Sequence, residues 1–164
     1  MATIIINYIL LAILFVMPFF YRSKKRWMIA FYQRMAMSEN YRKFYAFILL
    51  LILILFHFSY YCHHAGESGL TVSTLLTIYL FKPVRTLGLV QGIRNNRFVM
   101  GFMFTLALIS LLTPQLYALG VTLGYIHLAT MFYPSWKSRS KKEQQKAYST
   151  WDELVEETVN NYYR

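Results

Sequence analysis

The chain has 164 residues, of which 57% are hydrophobic, and a mean hydropathy of +0.36. This share exceeds the roughly 45–50% typical of soluble proteins, and it leaves no room for a separate soluble domain of ordinary size. The basic residues behind the net charge of +10 flank apolar segments, where we expect them to contact anionic lipid headgroups. The charge therefore does not predict nucleic-acid binding. The single cysteine, Cys62, excludes an intramolecular disulfide.

Lysine and arginine, apart from Arg164, fall into three clusters that lie within residues 22–43, 82–97 and 137–146. Between them, residues 44–81 and 98–136 contain no lysine or arginine and one acid, Glu67. Basic residues near membrane spans collect on the cytoplasmic side, so we expect all three clusters on one face. Each long apolar segment then crosses the bilayer twice. Together with an N-terminal span, this predicts an all-α polytopic helix bundle over residues 1–136, with five spans, the N-terminus outside and the C-terminus inside.

The first span covers about residues 3–21. No charged side chain precedes it and a basic run follows it, whereas a secretory signal peptide has basic residues first and a small-residue cleavage site afterwards. The sequence therefore predicts a retained helix.

Residues 27–41 are too polar to cross the membrane and too apolar for a free loop. Trp27, Phe31 and Met35 recur at helical spacing, which predicts an interfacial helix lying flat on the inner surface. The alternative is an ordinary solvent-exposed connecting helix.

The next four spans form two pairs. The first pair is 44–61 and 70–81, joined by a glycine-containing turn, and the second is 98–112 and 116–133, joined by a turn with a proline. At about 1.5 Å per residue, 70–81 reaches only about 18 Å, against a bilayer core of about 30 Å. A re-entrant segment is the alternative for these residues.

The tail, residues 137–164, is predicted to be cytoplasmic. Thr150 and Glu153 resemble a capping box, which predicts an amphipathic helix over about 150–163. Its apolar face is our candidate partner-binding surface and comprises Trp151, Leu154, Val155, Val159 and Tyr162. This face is expected to pack on the protein's own loops, on a sister subunit or on another protein.

Catalytic residue types are scarce. The five predicted spans contain no Asp, Glu, Lys or Arg, which argues against proton-coupled transporters, pumps and intramembrane hydrolases. We therefore predict that the chain is not an enzyme and has no cofactor.

Two histidine patterns have a structural and a ligand interpretation. Cys62, His63 and His64, with Glu67 nearby, are metal-ligand types, but adjacent histidines on a regular helix do not easily converge on one ion, and we favour a polar turn. His57 and His127 would have to share one depth to hold a haem, and the predicted spans place them about 9 Å apart in depth. Hydrogen bonding within the bundle is the favoured interpretation for both.

Gly120 and Gly124 form a GxxxG pattern in the last span. Small residues at this spacing let two helices approach closely. Packing within the chain and dimerisation both remain open at this point.

In size, hydrophobicity and basic loops, the whole chain resembles small inner-membrane exclusion and immunity proteins of mobile elements. It is most similar to the entry-exclusion proteins of F-like conjugative plasmids. The resemblance implies a multi-pass protein of the bacterial inner membrane that blocks uptake of DNA or a toxin, or an accessory subunit of a secretion or conjugation machine. Its expected partners are anionic lipids of the inner leaflet and a membrane protein, with homo-oligomerisation open. The alternatives are a small channel or transporter subunit acting as an oligomer and, third, a membrane-bound enzyme or metalloprotein that would use the turn from Cys62 to Glu67.

Overall fold

A computed structural model describes residues 2–21, 23, 25–134 and 159–160. The described residues up to 134 form seven α-helices and two short 3-10 segments, and no strand occurs among them, which confirms the all-α prediction. The helices are α1 (Ala2–Val16), α2 (Arg26–Met37), α3 (Glu39–His64), α4 (Ser68–Tyr79), α5 (Pro83–Asn95), α6 (Arg97–Leu112) and α7 (Tyr117–Phe132), with 3-10 segments at Met17–Phe20 and Pro114–Leu116.

Helix α7 lies at the centre of the fold. It packs against α1, α3, α4, α5 and α6, and eleven of its 16 residues are buried. Helix α6 has the same length, yet only Ala107 and Ser110 are buried in it. The two helices form an antiparallel pair in which α7 belongs to the core and α6 lies at the periphery.

The segment 27–41 is not a single helix. Helix α2 ends at Met37, Ser38 adopts an extended conformation, and α3 begins at Glu39. The Ser38 hydroxyl accepts a hydrogen bond from the Tyr41 backbone N–H at 3.3 Å, which caps the start of α3. The break follows from the preference of serine for this capping position, and it separates α2 from the longest helix.

Helix α2 packs on the protein through a face rotated from the predicted stripe. Trp27 is 53% exposed and Phe31 is half-buried, although both belong to that stripe. At the end of the helix, Arg42 Nη1 donates hydrogen bonds to carbonyl oxygens of the last turn, at 3.1 and 3.2 Å. The buried residues of α2 are Met28, Ile29, Tyr32, Met35 and Ala36.

Helix α5 corresponds to no element predicted from the sequence. Pro83 occupies its first turn, where a missing N–H costs nothing. Thr86, Val90 and Ile93 are buried at spacings of four and three, and the Thr86 hydroxyl donates to the Leu80 carbonyl at 2.6 Å. This hydrogen bond closes the corner between α4 and α5.

Helices α5 and α6 meet at a bend of 107°. Asn96 occupies the corner, and its Oδ1 accepts hydrogen bonds from the backbone N–H groups of Phe98 and Val99. A side-chain cap of this kind starts a new helix in a new direction.

Among the helices of the described ranges, α3 alone is by itself both long and apolar enough to cross a membrane. Helices α5 and α6 would meet the same criterion only if the bent pair were one span. The length criterion therefore supports membrane association through α3.

Candidate functional site

The two histidines of the predicted spans have different surroundings. His57 is buried, with Nδ1 at 2.7 Å from the Leu53 carbonyl oxygen and Nε2 at 2.9 Å from the Ser73 hydroxyl. A neutral ring makes both contacts when Nδ1–H donates to Leu53 and the Ser73 hydroxyl shares its one proton between Nε2 and the Leu70 carbonyl oxygen, which lies 3.0 Å away. Because both ring nitrogens are occupied by hydrogen bonds, His57 has no free nitrogen for a haem iron.

His127 lines a groove of about 520 Å³ between α1, α6 and α7. Its ring lies 5.2 Å from the Phe104 ring, between centroids, and its buried Nδ1 has no hydrogen-bond partner. His57 and His127 therefore occupy separate environments rather than the two sides of a common site.

The turn predicted at residues 62–69 is shorter in the structure, where it comprises residues 65–67. Helix α3 continues through His64, and Cys62 is exposed on its last turn, with Sγ donating to the Phe58 carbonyl. His64 stacks on the Tyr60 ring at 4.2 Å between centroids. Within the described ranges, no three Cys, His, Asp or Glu side chains are grouped so that they could hold a metal ion.

Glu67 is positioned by a tight turn between α3 and α4. Gly66 has φ +105°, a conformation that side-chain-bearing residues rarely adopt, and the Glu67 N–H donates to the His64 carbonyl. This geometry returns Glu67 to the end of α3, where Oε2 accepts a 2.8 Å hydrogen bond from the Tyr60 hydroxyl.

A cavity of about 730 Å³ lies beside this carboxylate, at the end of the bundle where α3 and α6 finish and α1 and α7 begin. We call it the Glu67 cavity. Apolar side chains from α1, α3 and α6 form much of its wall. Its polar lining residues are Asn7, Tyr8, Tyr60, His63, His64, Glu67 and Tyr117.

Two hydrogen-bond acceptors in the Glu67 cavity have unused capacity. Asn7 Oδ1 is buried and has no protein donor within hydrogen-bond distance. The carboxylate of Glu67 has acceptor capacity beyond its bond from Tyr60, since each ionised carboxylate offers about four lone-pair directions. Among the described residues that line the cavity there is no lysine or arginine. The sequence interpretation identified Glu67 and the histidines but missed Asn7, Tyr60 and Tyr117.

The GxxxG pair is used inside the chain. A Cβ on Gly120 would lie 2.5 Å from the Leu111 backbone nitrogen, and one on Gly124 would lie 3.2 Å from a methyl group of Leu14. The two glycines therefore allow close approach of α6 and α1 to α7. By contrast, a Cβ on Gly101 would meet nothing within 4 Å.

Of the predicted partner-binding residues, Val159 is helical and half-buried in the structure. The other four, Trp151, Leu154, Val155 and Tyr162, lie outside the described residues, as does most of the predicted helix 150–163.

Comparison of the chain with protein-family models, with curated proteins and with solved structures found no match. We therefore infer the function from the residues and contacts of this chain.

Proposed function

We propose that the chain is a non-catalytic interaction protein of the bacterial inner membrane that crosses the bilayer five times and acts by binding another membrane protein. The observation that carries the proposal is the distribution of polarity in the fold. Large apolar side chains cover the outside of the helices, and polar side chains are buried between them.

Helix α3 displays this distribution most clearly. Exposed apolar residues follow one face from Phe44 to Tyr61, a length of about 26 Å at about 1.5 Å per residue. The bilayer core is about 30 Å thick, so the stripe matches a lipid-facing surface. The members of the stripe are Phe44, Phe47, Ile48, Leu51, Ile54, Leu55, Phe58 and Tyr61.

Buried threonine hydroxyls satisfy their hydrogen bonds inside the fold. Thr77, Thr122 and Thr130 are buried, and each hydroxyl donates to the carbonyl four residues earlier in its own helix, at 2.8–2.9 Å. Such internal satisfaction is required where no water is present. Together with the exposed apolar faces, it is typical of helices in lipid and unusual for a soluble domain.

Helix α6 has an exposed apolar face of the same kind. Phe98 is 82% exposed and Leu112 is 85% exposed, and Phe102 and Ile109 lie between them on the exposed side. An apolar surface of this length in a peripheral helix favours contact with lipid along its whole course.

The short helix α4 can cross the bilayer because basic residues that follow it reach the inner headgroups. Its 12 residues reach about 18 Å, so a crossing that starts at the outer surface ends within the inner leaflet. Lys82 and Arg85 are exposed just beyond it, and long basic side chains extend to the headgroups while their stems remain in apolar surroundings. Because α5 bends 107° from α6, it lies near the membrane plane when α6 crosses.

The C-terminal tail is the segment proposed to bind the partner. It lies on the inner side in this topology, and its predicted apolar face, Trp151 to Tyr162, has to be buried, in this proposal against the partner rather than the protein's own loops. The resemblance to exclusion and immunity proteins indicates a biological role for this contact: blocking uptake of DNA or a toxin by a cell that already carries the element.

The test measures uptake and partner contact together. Recipient cells producing the chain are mated with donors of conjugative plasmids, or exposed to protein toxins, and uptake is compared with that of empty cells. We expect uptake of one agent to fall by an order of magnitude or more, and the block to be lost when Trp151 or Val155 is replaced by Asp. A photoreactive residue at position 151 should then crosslink to a component of that uptake machine.

The matched control is a photoreactive residue at Phe58, which faces lipid in this proposal and should give no adduct with that machine. Unchanged uptake of every agent, together with ion flux from purified oligomers in liposomes, would replace the proposal with the channel alternative.

A further inference from the structure

The Glu67 cavity has the chemical features of a binding site. It combines one carboxylate, one buried acceptor without a donor and several aromatic rings with an otherwise apolar wall. Ligand sites in proteins are commonly apolar cavities of some 300–1,000 Å³ in which a few polar groups fix orientation, and this one has about 730 Å³.

The acceptors define the sign of the ligand. Glu67 supplies a negative charge, Asn7 Oδ1 lacks a donor, and no lysine or arginine is among the described lining residues. A ligand with several N–H groups would satisfy both acceptors, whereas an anion would face the negative charge of the Glu67 carboxylate.

The aromatic rings distinguish an organic cation from a metal ion. The Tyr60 ring already stacks with both Phe56 and His64. The Tyr117 ring lies 5.7 Å from the Tyr60 ring, between centroids. Tyr117 is therefore the ring left for a ligand. Aromatic faces attract ammonium groups through the ring quadrupole. A hard metal ion instead needs about six or more oxygen ligands, and Glu67 is the one carboxylate that lines the described cavity.

The apolar wall indicates what carries the cation. Leu11, Phe56 and Leu111 line the cavity beside the polar groups. A ligand that fills both the polar and the apolar part of the cavity has an ammonium group on an apolar chain. A small amine would occupy the polar part alone. The cavity lies at one end of the bundle, the level at which lipid headgroups would be found in the proposed topology.

We propose that the Glu67 cavity binds an organic ammonium group, with the Glu67 carboxylate and Asn7 Oδ1 accepting its N–H bonds and the Tyr117 ring facing its charge. The two sources of this group are the ethanolamine headgroup of a phospholipid and a free amine.

The experiment uses the full chain in nanodiscs of phosphatidylglycerol. In one arm a graded fraction of phosphatidylethanolamine is included, and the molecules retained per protein are counted by native mass spectrometry. In the other arm, free ethanolamine is titrated into nanodiscs without that lipid, with calorimetric detection. Retention of phosphatidylethanolamine in preference to phosphatidylglycerol assigns the site to a headgroup, and saturable binding of ethanolamine assigns it to a free amine.

The variant Glu67→Gln keeps the size of the side chain and removes its charge. We expect it to weaken binding about ten- to a hundredfold, the equivalent of one charge-assisted hydrogen bond. The matched control is Glu39→Gln, because Glu39 is the other acid among the described residues and pairs with Lys43 at the opposite end of α3. Binding by Glu39→Gln should equal that of the unaltered chain.

A second variant keeps the test decisive if Glu67→Gln folds poorly. Asn7→Leu removes the buried acceptor without adding an unsatisfied group, so it should fold and still bind several-fold more weakly. Failure of both probes to bind the unaltered chain, or full binding by Glu67→Gln or Asn7→Leu, would overturn the assignment.

Discussion

Individual polar residues in this fold differ in how completely their hydrogen bonds are made. His57 links α3 to α4 through Ser73, whereas His127 leaves Nδ1 without a partner beside Phe104. A buried polar group contributes to stability when it is bonded and detracts from it when it is not. The two histidines therefore form a natural pair for measuring this difference in one molecule.

Replacing each histidine by leucine should have unequal effects. His57→Leu should lower the free energy of unfolding by about 1–3 kcal/mol, because two hydrogen bonds are lost. His127→Leu should be neutral or stabilising, because it removes an unsatisfied nitrogen from an apolar groove. Thermal unfolding of both variants in the same detergent checks the order, and a larger loss for His127→Leu would contradict it.

Sequence reasoning at this scale identified the histidines and the acid but not their partners. Hydrogen bonding of His57 within the bundle was predictable, because a buried imidazole needs partners. Ser73 as that partner was not, since it depends on the rotation of α4 against α3. For the same reason, nothing in the sequence indicated that Asn7 and Tyr117 would share a cavity with Glu67.

Helices of similar composition occupy very different positions in the fold. Each helix has three Phe or Tyr residues, but Gly, Ala, Ser and Thr are more frequent in α7, which is buried, than in α6, which is exposed. Gly120 explains the contact between them, because the α6 backbone at Leu111 occupies the space that a side chain would need. Close packing through small residues substitutes for the hydrophobic effect where lipid is the solvent.

Alanine at two glycines provides a direct comparison of buried and open helix faces. Gly120→Ala should destabilise the fold by about 1–3 kcal/mol, since its Cβ would lie 2.5 Å from the backbone of Leu111. Gly101→Ala should be neutral or stabilising by up to about 1 kcal/mol, because alanine favours helix and nothing lies within 4 Å. The measurement is the thermal midpoint, and equal midpoints would refute the close contact of α6 with α7.

The helices were more predictable than their corners. Apolar segments bounded by charges and turn residues indicated where α1, α3, α4, α6 and α7 lie. Helix α5 was not predicted because its charged residues were interpreted as a basic cluster between two spans, although Thr86, Val90 and Ile93 have helical spacing. The break at Ser38 was missed because a serine within an apolar pattern is ambiguous without its neighbours in space.

At the scale of the whole molecule, the proposed topology assigns the two ends of the bundle to opposite sides of the membrane. The single native thiol, Cys62, is exposed at one end, and Asn95 is exposed at the end of α5. These positions allow the topology to be tested with one native cysteine and one introduced cysteine.

A membrane-impermeant maleimide should label Cys62 in intact spheroplasts, and Cys62→Ser should abolish the signal. In that background, Asn95→Cys should be labelled only after the membrane is permeabilised. Asn95 lies within the basic cluster of residues 82–97, which is on the inner side in the five-span topology. Labelling of both positions in intact spheroplasts would exclude the arrangement.

The unequal reach of α3 and α4 has a consequence for the surrounding lipid. In the proposed five-span topology, a bilayer matched to the apolar stripe of α3 is too thick beside α4, whose 12 residues extend only about 18 Å. The bilayer next to α4 must become locally thinner, while the bilayer next to α3 keeps its thickness. Hydrophobic mismatch on one flank alone gives the protein a preferred side for lateral association. A neighbour with a similarly short helix shares the thinned lipid, so the membrane itself draws the two together before any side chains meet.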